Sequence, residues 1–358
     1  AKLIESYHRI IRERTLNHPV LFHFIRELGK GRQGVVFLAV RQGGRGCFTR
    51  HAIKLHDPAI YSSAEKYWGD MKRIASQVSI LQPIQSDNLV PRETYDEQDG
   101  IGFIQMGAID GIDLQFLLAG THIGIARSQS TDEEWNHFTQ VLFRLEQDRF
   151  MLQPGAAFFI LSKILIGLIV MHEAGFLHAD IKPSNIMLDR MGSVKLVDFG
   201  RAVRIGEEIS ILLGSPLYMA PETHRLESGS PAADLFGAGL VAFEMLTGKP
   251  IADATTMTDE ELLAFKMKIA AGLPALLPAH VTAEPATVRF IRRFIQPDPR
   301  QRFATAKEAE EKTYQRLRGI QRKVTLATGA VPDYGREFQQ YLAKITDPET
   351  GHVNPRLG

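Results

Sequence analysis

Cysteine is almost missing from this chain: Cys47 is the only one in 358 residues. No intrachain disulfide and no multi-thiolate zinc site can be built from it, which fits a reducing compartment. Excess charge is missing too, with 42 Lys and Arg set against 41 Asp and Glu. Net charge therefore gives no case for nucleic acid or an anionic membrane as the main partner. There is no internal repeat and no low-complexity tract. The longest apolar run, residues 155–171, is short for a bilayer span and carries Lys163 in its middle, so a buried core helix is expected rather than a membrane span. Residues 1–18 are rich in charge and do not read as a secretory signal. A soluble, cytoplasmic protein is the expectation, with 44% apolar and 23% charged residues and length enough for two lobes.

The most informative stretch runs from His178 to Asn185, His-Ala-Asp-Ile-Lys-Pro-Ser-Asn, with Asp198-Phe199-Gly200 shortly downstream. Asp180 can orient an attacking hydroxyl and accept its proton, and Lys182 can neutralise charge on a phosphoryl group in flight. Asn185 and Asp198 offer the hard oxygens that Mg²⁺ prefers. Phosphoryl transfer is the chemistry these residue types suit.

The rest of the chain can be ordered around that loop. Residues 1–20 read as an amphipathic helix packed on the main domain, stopped at Asn17-His18-Pro19. A strand from Phe22 to Leu28 leads into Gly29-Lys30-Gly31-Arg32-Gln33-Gly34, and the apolar run after Gly34 continues as a second strand. That context favours a glycine flap over a nucleotide, since a dinucleotide fold would open a helix there. The next strand carries Lys54 between apolar neighbours, placed to meet a phosphate. Residues 59–82 have helix-forming composition with Ile74, Val78 and Leu81 on one face, and Asn88-Leu89-Val90 and residues 101–106 are strands. Residues 106–111 read as a linker, helices dominate from Leu114 onward, and the change marks a boundary between two lobes.

Beyond it, residues 119–153 are polar, with a helix start at Ser130-Thr131. The apolar helix of 155–174 precedes the His178 loop, and the strand 194–197 delivers Asp198. Asp234 heads a strongly apolar helix ended by Gly248-Lys249-Pro250. A helix at 305–322 is followed by a polar tail after Gly329 that is expected to pack loosely.

In this order, the glycine flap, Lys54, His178-x-Asp180-x-Lys182-x-x-Asn185, Asp198-Phe199-Gly200, Ala220-Pro221-Glu222, Asp234 and Arg302 resemble the eukaryotic-type protein kinase family over residues 22–316. The resemblance implies an α+β, two-lobed fold: a small antiparallel-sheet lobe with one helix (22–106), a hinge (107–113) and a larger, mainly helical lobe (114–316). Residues 1–21 would be a helical extension and 317–358 a C-terminal one. It also implies ATP and Mg²⁺. Gly29, Gly31, Gly34, Val36 and Ala52 would cover the nucleotide, with Lys54 on the α and β phosphates, Met106 as gatekeeper, Gly107 and Ile109 at the adenine edge and Asp113 at the ribose. Asp180 and Lys182 would serve the transferred group, and Asn185 and Asp198 the metal. Glu222 with Arg302 would form a structural ion pair, and Asp234 would hold the backbone of the His178 loop.

Lys182 and Gly214-Ser215 are similar to Ser/Thr-specific members, so protein substrates with Ser or Thr acceptors are implied. A bacterial member, or an effector acting in a host cytosol, is the analogy the layout suggests. Two residues depart from the family pattern. Ala179 replaces the arginine that meets a phosphorylated activation segment, so activity independent of phosphorylation at Ser210 or Ser215 is expected. Gln77 stands where a glutamate would pair with Lys54, and Glu65 and Asp70 are the alternatives. These departures keep a scaffolding pseudokinase in view, and more distantly a small-molecule kinase or a nucleotidyltransferase.

Overall fold

The computed structural model describes all residues except 1, 19, 32, 147–148, 208–214, 228, 254–255 and 354–358. They form two compact units, one of residues 2–86, 90–110 and 346–353, the other of 87–89 and 111–345.

The first unit begins with α1 (Lys2–Glu13), β1 (Thr15–His18), β2 (Val20–Gly31), β3 (Gly34–Gln42) and β4 (Phe48–His56). It continues with α2 (Ala64–Leu81), β5 (Arg92–Gln98) and β6 (Ile101–Gly107). The strands make one antiparallel sheet in the order β1-β2-β3-β4-β6-β5. Alternation then sorts side chains onto two faces. Val35, Phe37, Ala39, Ile53, Leu55 and Phe103 form the core of one face, closed by Tyr7 and Ile10 of α1. The register Val36↔Lys54↔Ile104 and Ala52↔Met106 puts Val36, Ala52, Lys54 and Met106 together on the other.

The N-terminal helix is shorter than the expected 1–20. The helix ends at Glu13, and residues 15–18 pair with β2 as an extra strand instead of continuing it. Arg14, with φ 51°, turns the chain between them, and Phe24 N–H donates to its carbonyl at 2.6 Å. The apolar pattern of 3–11 could not show that turn. The second helix starts at Ala64 and not near residue 59, because the Ser63 hydroxyl caps it by accepting from Lys66 N–H.

The second unit opens with β7 (Gly111–Asp113), α3 (Leu114–Ala119), α4 (Ile123–Ser128), α5 (Asp132–Val141), β8 (Phe143–Glu146) and β9 (Arg149–Leu152). Next come α6 (Pro154–Glu173), β10 (Phe176–Leu177), β11 (Ile186–Asp189), β12 (Val194–Leu196), β13 (Val203–Arg204), α7 (Pro221–His224) and α8 (Pro231–Thr247). The unit closes with α9 (Asp259–Lys266), α10 (Ile269–Leu276), α11 (Ala279–Thr282), α12 (Pro285–Phe294), α13 (Ala306–Thr328) and α14 (Tyr334–Lys344). By length and composition α6 could cross a membrane, yet 67% of its apolar window is buried inside the fold, against α8 and α13. A helix apolar on all sides is what the centre of a large lobe requires.

Two further expectations change. The polar stretch before α6 contains the β8–β9 hairpin, where Phe143 pairs with Leu152 and both are buried. The tail after Gly329 holds a packed helix: α14, capped by Asp333, buries Tyr334, Phe338, Tyr341 and Leu342. Helix α13 itself runs on past residue 316 to Thr328.

Candidate active site

In the first unit, β2 and β3 are joined beside Gly34, whose φ of 145° and position leave no room for a side chain. A Cβ there would lie 1.8 Å from the Leu55 carbonyl oxygen, while one at Gly29 or Gly31 would meet nothing within 4 Å. Gly34 is thus dictated by the fold, and the other two leave an open strand edge. Lys54 is buried, and its Nζ donates to Gln33 Oε1 at 3.3 Å. Of its three expected partners, Gln77 lies buried on α2. Asp70 accepts from Tyr61 Oη at 2.5 Å and Arg73 Nε at 2.7 Å, and Glu65 is exposed. Ile109 is half-buried, and the N–H of Gly107 is donated to Pro91 O at 3.0 Å.

In the second unit, the stretch after β10 is shaped by Asp234 at the start of α8. Its Oδ2 accepts the His178 N–H at 2.9 Å and its Oδ1 the Ala179 N–H at 2.8 Å. Ala179 has φ 60°, a conformation that costs a non-glycine residue roughly 1–2 kcal/mol, so these bonds hold a strained turn in place. Burial alone would raise the Asp234 carboxyl. Hydrogen bonds from His172 Nε2 and from the His178 N–H outweigh it and hold the carboxyl below its usual range. His178 is fully buried and pushed down by desolvation. Its neutral ring donates from Nε2 to Val197 O at 3.1 Å and accepts the Asp180 N–H at Nδ1, 3.3 Å away.

Asp180 emerges from this turn with its two oxygens differently held. Oδ2 accepts from Lys182 Nζ at 2.8 Å and Asn185 Nδ2 at 3.0 Å. Among the described residues Oδ1 has only long hydrogen-bond contacts, 3.4 Å to Ser215 N and 3.5 Å to Arg201 Nη1. Asn185 Nδ2 also donates to the Asp180 carbonyl at 2.7 Å, so its amide nitrogen is spent and its Oδ1 is the atom left for a cation. Asp198 ends the segment after β12 with φ 59° and ψ 69°, and its Oδ1 accepts from Gly200 N at 3.4 Å. Asp113, expected at a ribose, caps α3 by accepting Phe116 N–H at 2.7 Å.

Further along, Glu222 and Arg302 are both buried and meet in a fork, with Nη1 to Oε1 at 2.6 Å and Nη2 to Oε2 at 2.8 Å. Tyr218 Oη donates to Glu244 Oε2 at 2.5 Å, and burial raises that carboxyl. Ser210 and Gly214 lie outside the described residues.

The family model described as "Protein kinase domain" matches residues 22–315. The chain belongs to the protein kinase family. Among similar kinases, Cell division control protein 7 of Schizosaccharomyces pombe is 30% identical over 197 residues, 54% of this chain and 18% of that protein. Serine/threonine-protein kinase PknL of Mycobacterium tuberculosis H37Rv is 38% identical over 105 residues, 28% of this chain and 26% of that one. The chain thus spans about a fifth to a quarter of these relatives. The Mycobacterium tuberculosis PknI kinase domain superposes with a TM-score of 0.54 over 82% of this chain and 95% of that one, at 20% identity, which speaks for the two-lobed fold. Kinase membership implies ATP and Mg²⁺ in general, and protein substrates.

Within the second unit the fold gathers Asp180, Lys182 and Asn185, and within the first it aligns Val36, Ala52, Lys54 and Met106 on one sheet face. The sequence reading missed Arg201 beside Asp180, the Tyr218–Glu244 bond, and Lys266, whose Nζ reaches the carbonyls of Pro216 and Met219. Arg201 carried a signal, since it directly follows Gly200. The other two are contacts across 26 or more residues and leave none.

Proposed function

We propose that this kinase domain transfers the γ-phosphoryl group of ATP to serine and threonine hydroxyls of protein substrates. The observation that carries this reading is the asymmetry of Asp180. Its Oδ2 is locked by Lys182 and Asn185, while its Oδ1 has no contact shorter than 3.4 Å among the described residues. Good hydrogen bonds are shorter than that, so Oδ1 is the oxygen open to an incoming hydroxyl. It would orient that hydroxyl and take its proton as the bond to phosphorus forms, while Lys182 balances charge on the phosphoryl oxygens. Lys54 would meet the α and β phosphates beneath the β2–β3 strand edge. Met106, Gly107 and Ile109 would line the base, and Asp113 would lie near the ribose.

The donor set suits Mg²⁺. Asn185 Oδ1 and the Asp198 carboxylate are hard oxygens, and a cation that keeps several waters and phosphate oxygens needs only one or two such protein ligands. When bound, the ion supplies charge neutralisation on the phosphates. The choice of Ser and Thr over Tyr rests on Lys182 and Ser215, and on the Ser/Thr kinase relatives. A reducing, cytosolic setting, in the producing cell or in a host, belongs to the same reading and rests on exposed Cys47 as the lone thiol.

Ala179 and Gln77 are the two departures that keep a scaffold in view, since an amide in place of a glutamate brings no charge to pair with Lys54. Incubation with Mg²⁺ and either γ-labelled or α-labelled ATP separates the readings. Label from the γ position alone, lost in Asp180→Asn and Lys54→Met, supports the kinase. No label at all supports the scaffold, and label from the α position supports nucleotidyl transfer.

A further inference from the structure

A lysine in the last turn of a helix ordinarily points to water, where it meets the negative end of the helix dipole. Lys266, the last residue of α9, does the opposite: its side chain is 1% exposed. Its Nζ donates to two main-chain carbonyls, those of Pro216 and of Met219, the latter at 2.7 Å. Burying an ammonium is unfavourable unless its protons are matched, and carbonyl oxygens match them without neutralising the charge. Burial pushes this amine down to about 7, with Asp259 and Glu222 pulling the other way.

What the ammonium holds is a short turn. Tyr218 N–H donates to Ser215 O at 3.0 Å, so residues 215–218 close on themselves, and Pro216 O and Met219 O both turn toward α9. Ser215 at the head of this turn directs its own N–H to Asp180 Oδ1, 3.4 Å away. Tyr218 at its other end is tied to Glu244 on α8. The turn therefore sits directly beside the oxygen assigned to the acceptor hydroxyl. It has no sheet or helix ladder of its own to fix it.

We propose that Lys266 is a positioning residue for the protein substrate: by gathering the Pro216 and Met219 carbonyls it fixes the 215–219 turn against which the acceptor segment docks beside Asp180. This deepens the kinase reading and rests on it. The Lys266 ammonium bonds to the 215–219 turn and not to Lys182 among the described residues, so its effect is expected on peptide and not on nucleotide. Lys266→Met keeps the length and apolar stem and removes the donors. The expected result is a peptide KM higher by about tenfold or more with ATP KM within about twofold. Amide hydrogen exchange across 215–219 should quicken in the same variant, a readout that needs no activity and so survives failure of the kinase reading. If Lys266→Met does not fold, Lys266→Leu, which also removes the donors on a shorter apolar stem, is read the same way. An unchanged peptide KM, an equal rise in both KM values, or unaltered exchange at 215–219 would overturn the proposal.

Discussion

Asn185 holds Asp180 at two points: its Nδ2 donates to the Asp180 carbonyl at 2.7 Å and to the Asp180 Oδ2 at 3.0 Å. One amide therefore fixes both the backbone and the carboxylate of the residue expected to receive the hydroxyl proton. Asn185→Asp replaces the donor with a second carboxylate that repels the first. Turnover should fall by about a hundredfold or more, since each hydrogen bond to a buried charge contributes about 1.5–3 kcal/mol. Steady-state kinetics at saturating ATP checks this, and turnover within a few fold of wild type would contradict it.

The Glu222–Arg302 fork is a stability device. Arg302 also donates to the carbonyls of Gln296, Pro297 and Ala232, so its removal orphans several groups at once. Arg302→Met leaves Glu222 buried beside no cation in that fork and should cost about 3–5 kcal/mol, read as a shift of the urea midpoint. Adding Glu222→Gln to that variant should recover part of the loss, because the uncompensated charge is gone. A double variant less stable than the single one would refute the account of the fork.

Stability should depend on pH at both ends. Burial holds His122, His178, His224 and His280 below the usual imidazole range. In His122 burial prevails over the opposing pull of the hydrogen bond from Nε2 to Leu117 O at 2.9 Å, with Nδ1 lying 2.7 Å from Tyr341 Oη. Below a pH of about 6.5 the unfolded chain binds more protons at these rings, so stability falls as pH drops. Lys266 acts on the alkaline side. Its folded value is about 7 against 10.5 when free, so between the two the unfolded chain again holds the extra proton. Stability should rise with pH across that window, with a slope of up to about 1.4 kcal/mol per unit from this group. Urea midpoints from acid to alkaline pH test both limbs, and Lys266→Met should flatten the alkaline one.

Ala179 separates catalysis from switching. It has no side chain to meet a phosphate, so turnover should not require phosphorylation of Ser210. Ser210→Ala is expected to keep turnover within a few fold, and a fall of about tenfold or more would count against this. The strain at φ 60° gives a second check: Ala179→Gly should leave the fold as stable or gain up to about 1 kcal/mol.

How much of this was readable in the chain depends on range. The His178–Asn185 loop is a local string, so its residue types announced their chemistry before any fold was known. Lys54, Met106 and Val36 share a face because strands alternate, which the apolar pattern already encodes. Arg14 was invisible, since a single left-handed residue converts a helix into a strand with no change in composition. Helix α14 leaves a faint trace, since Tyr334, Phe338 and Tyr341 recur at helical spacing behind Asp333. Its polar average hid the stripe, and Phe338→Ala should cost about 3–5 kcal/mol by opening a cavity there. Lys266 could not be read at all, because its burial is decided by a turn some 47–50 residues earlier.

Asp180 is assigned the task of orienting Ser and Thr hydroxyls for attack on the γ-phosphoryl group of ATP. A peptide pool offering Ser, Thr and Tyr acceptors, incubated with ATP and Mg²⁺ and mapped by mass spectrometry, tests it most directly. The account predicts phosphate on Ser and Thr in the wild type, and a rate about 10²–10⁴-fold lower in Asp180→Asn with ATP binding retained. Phosphate chiefly on Tyr, or equal rates in the two proteins, would contradict it.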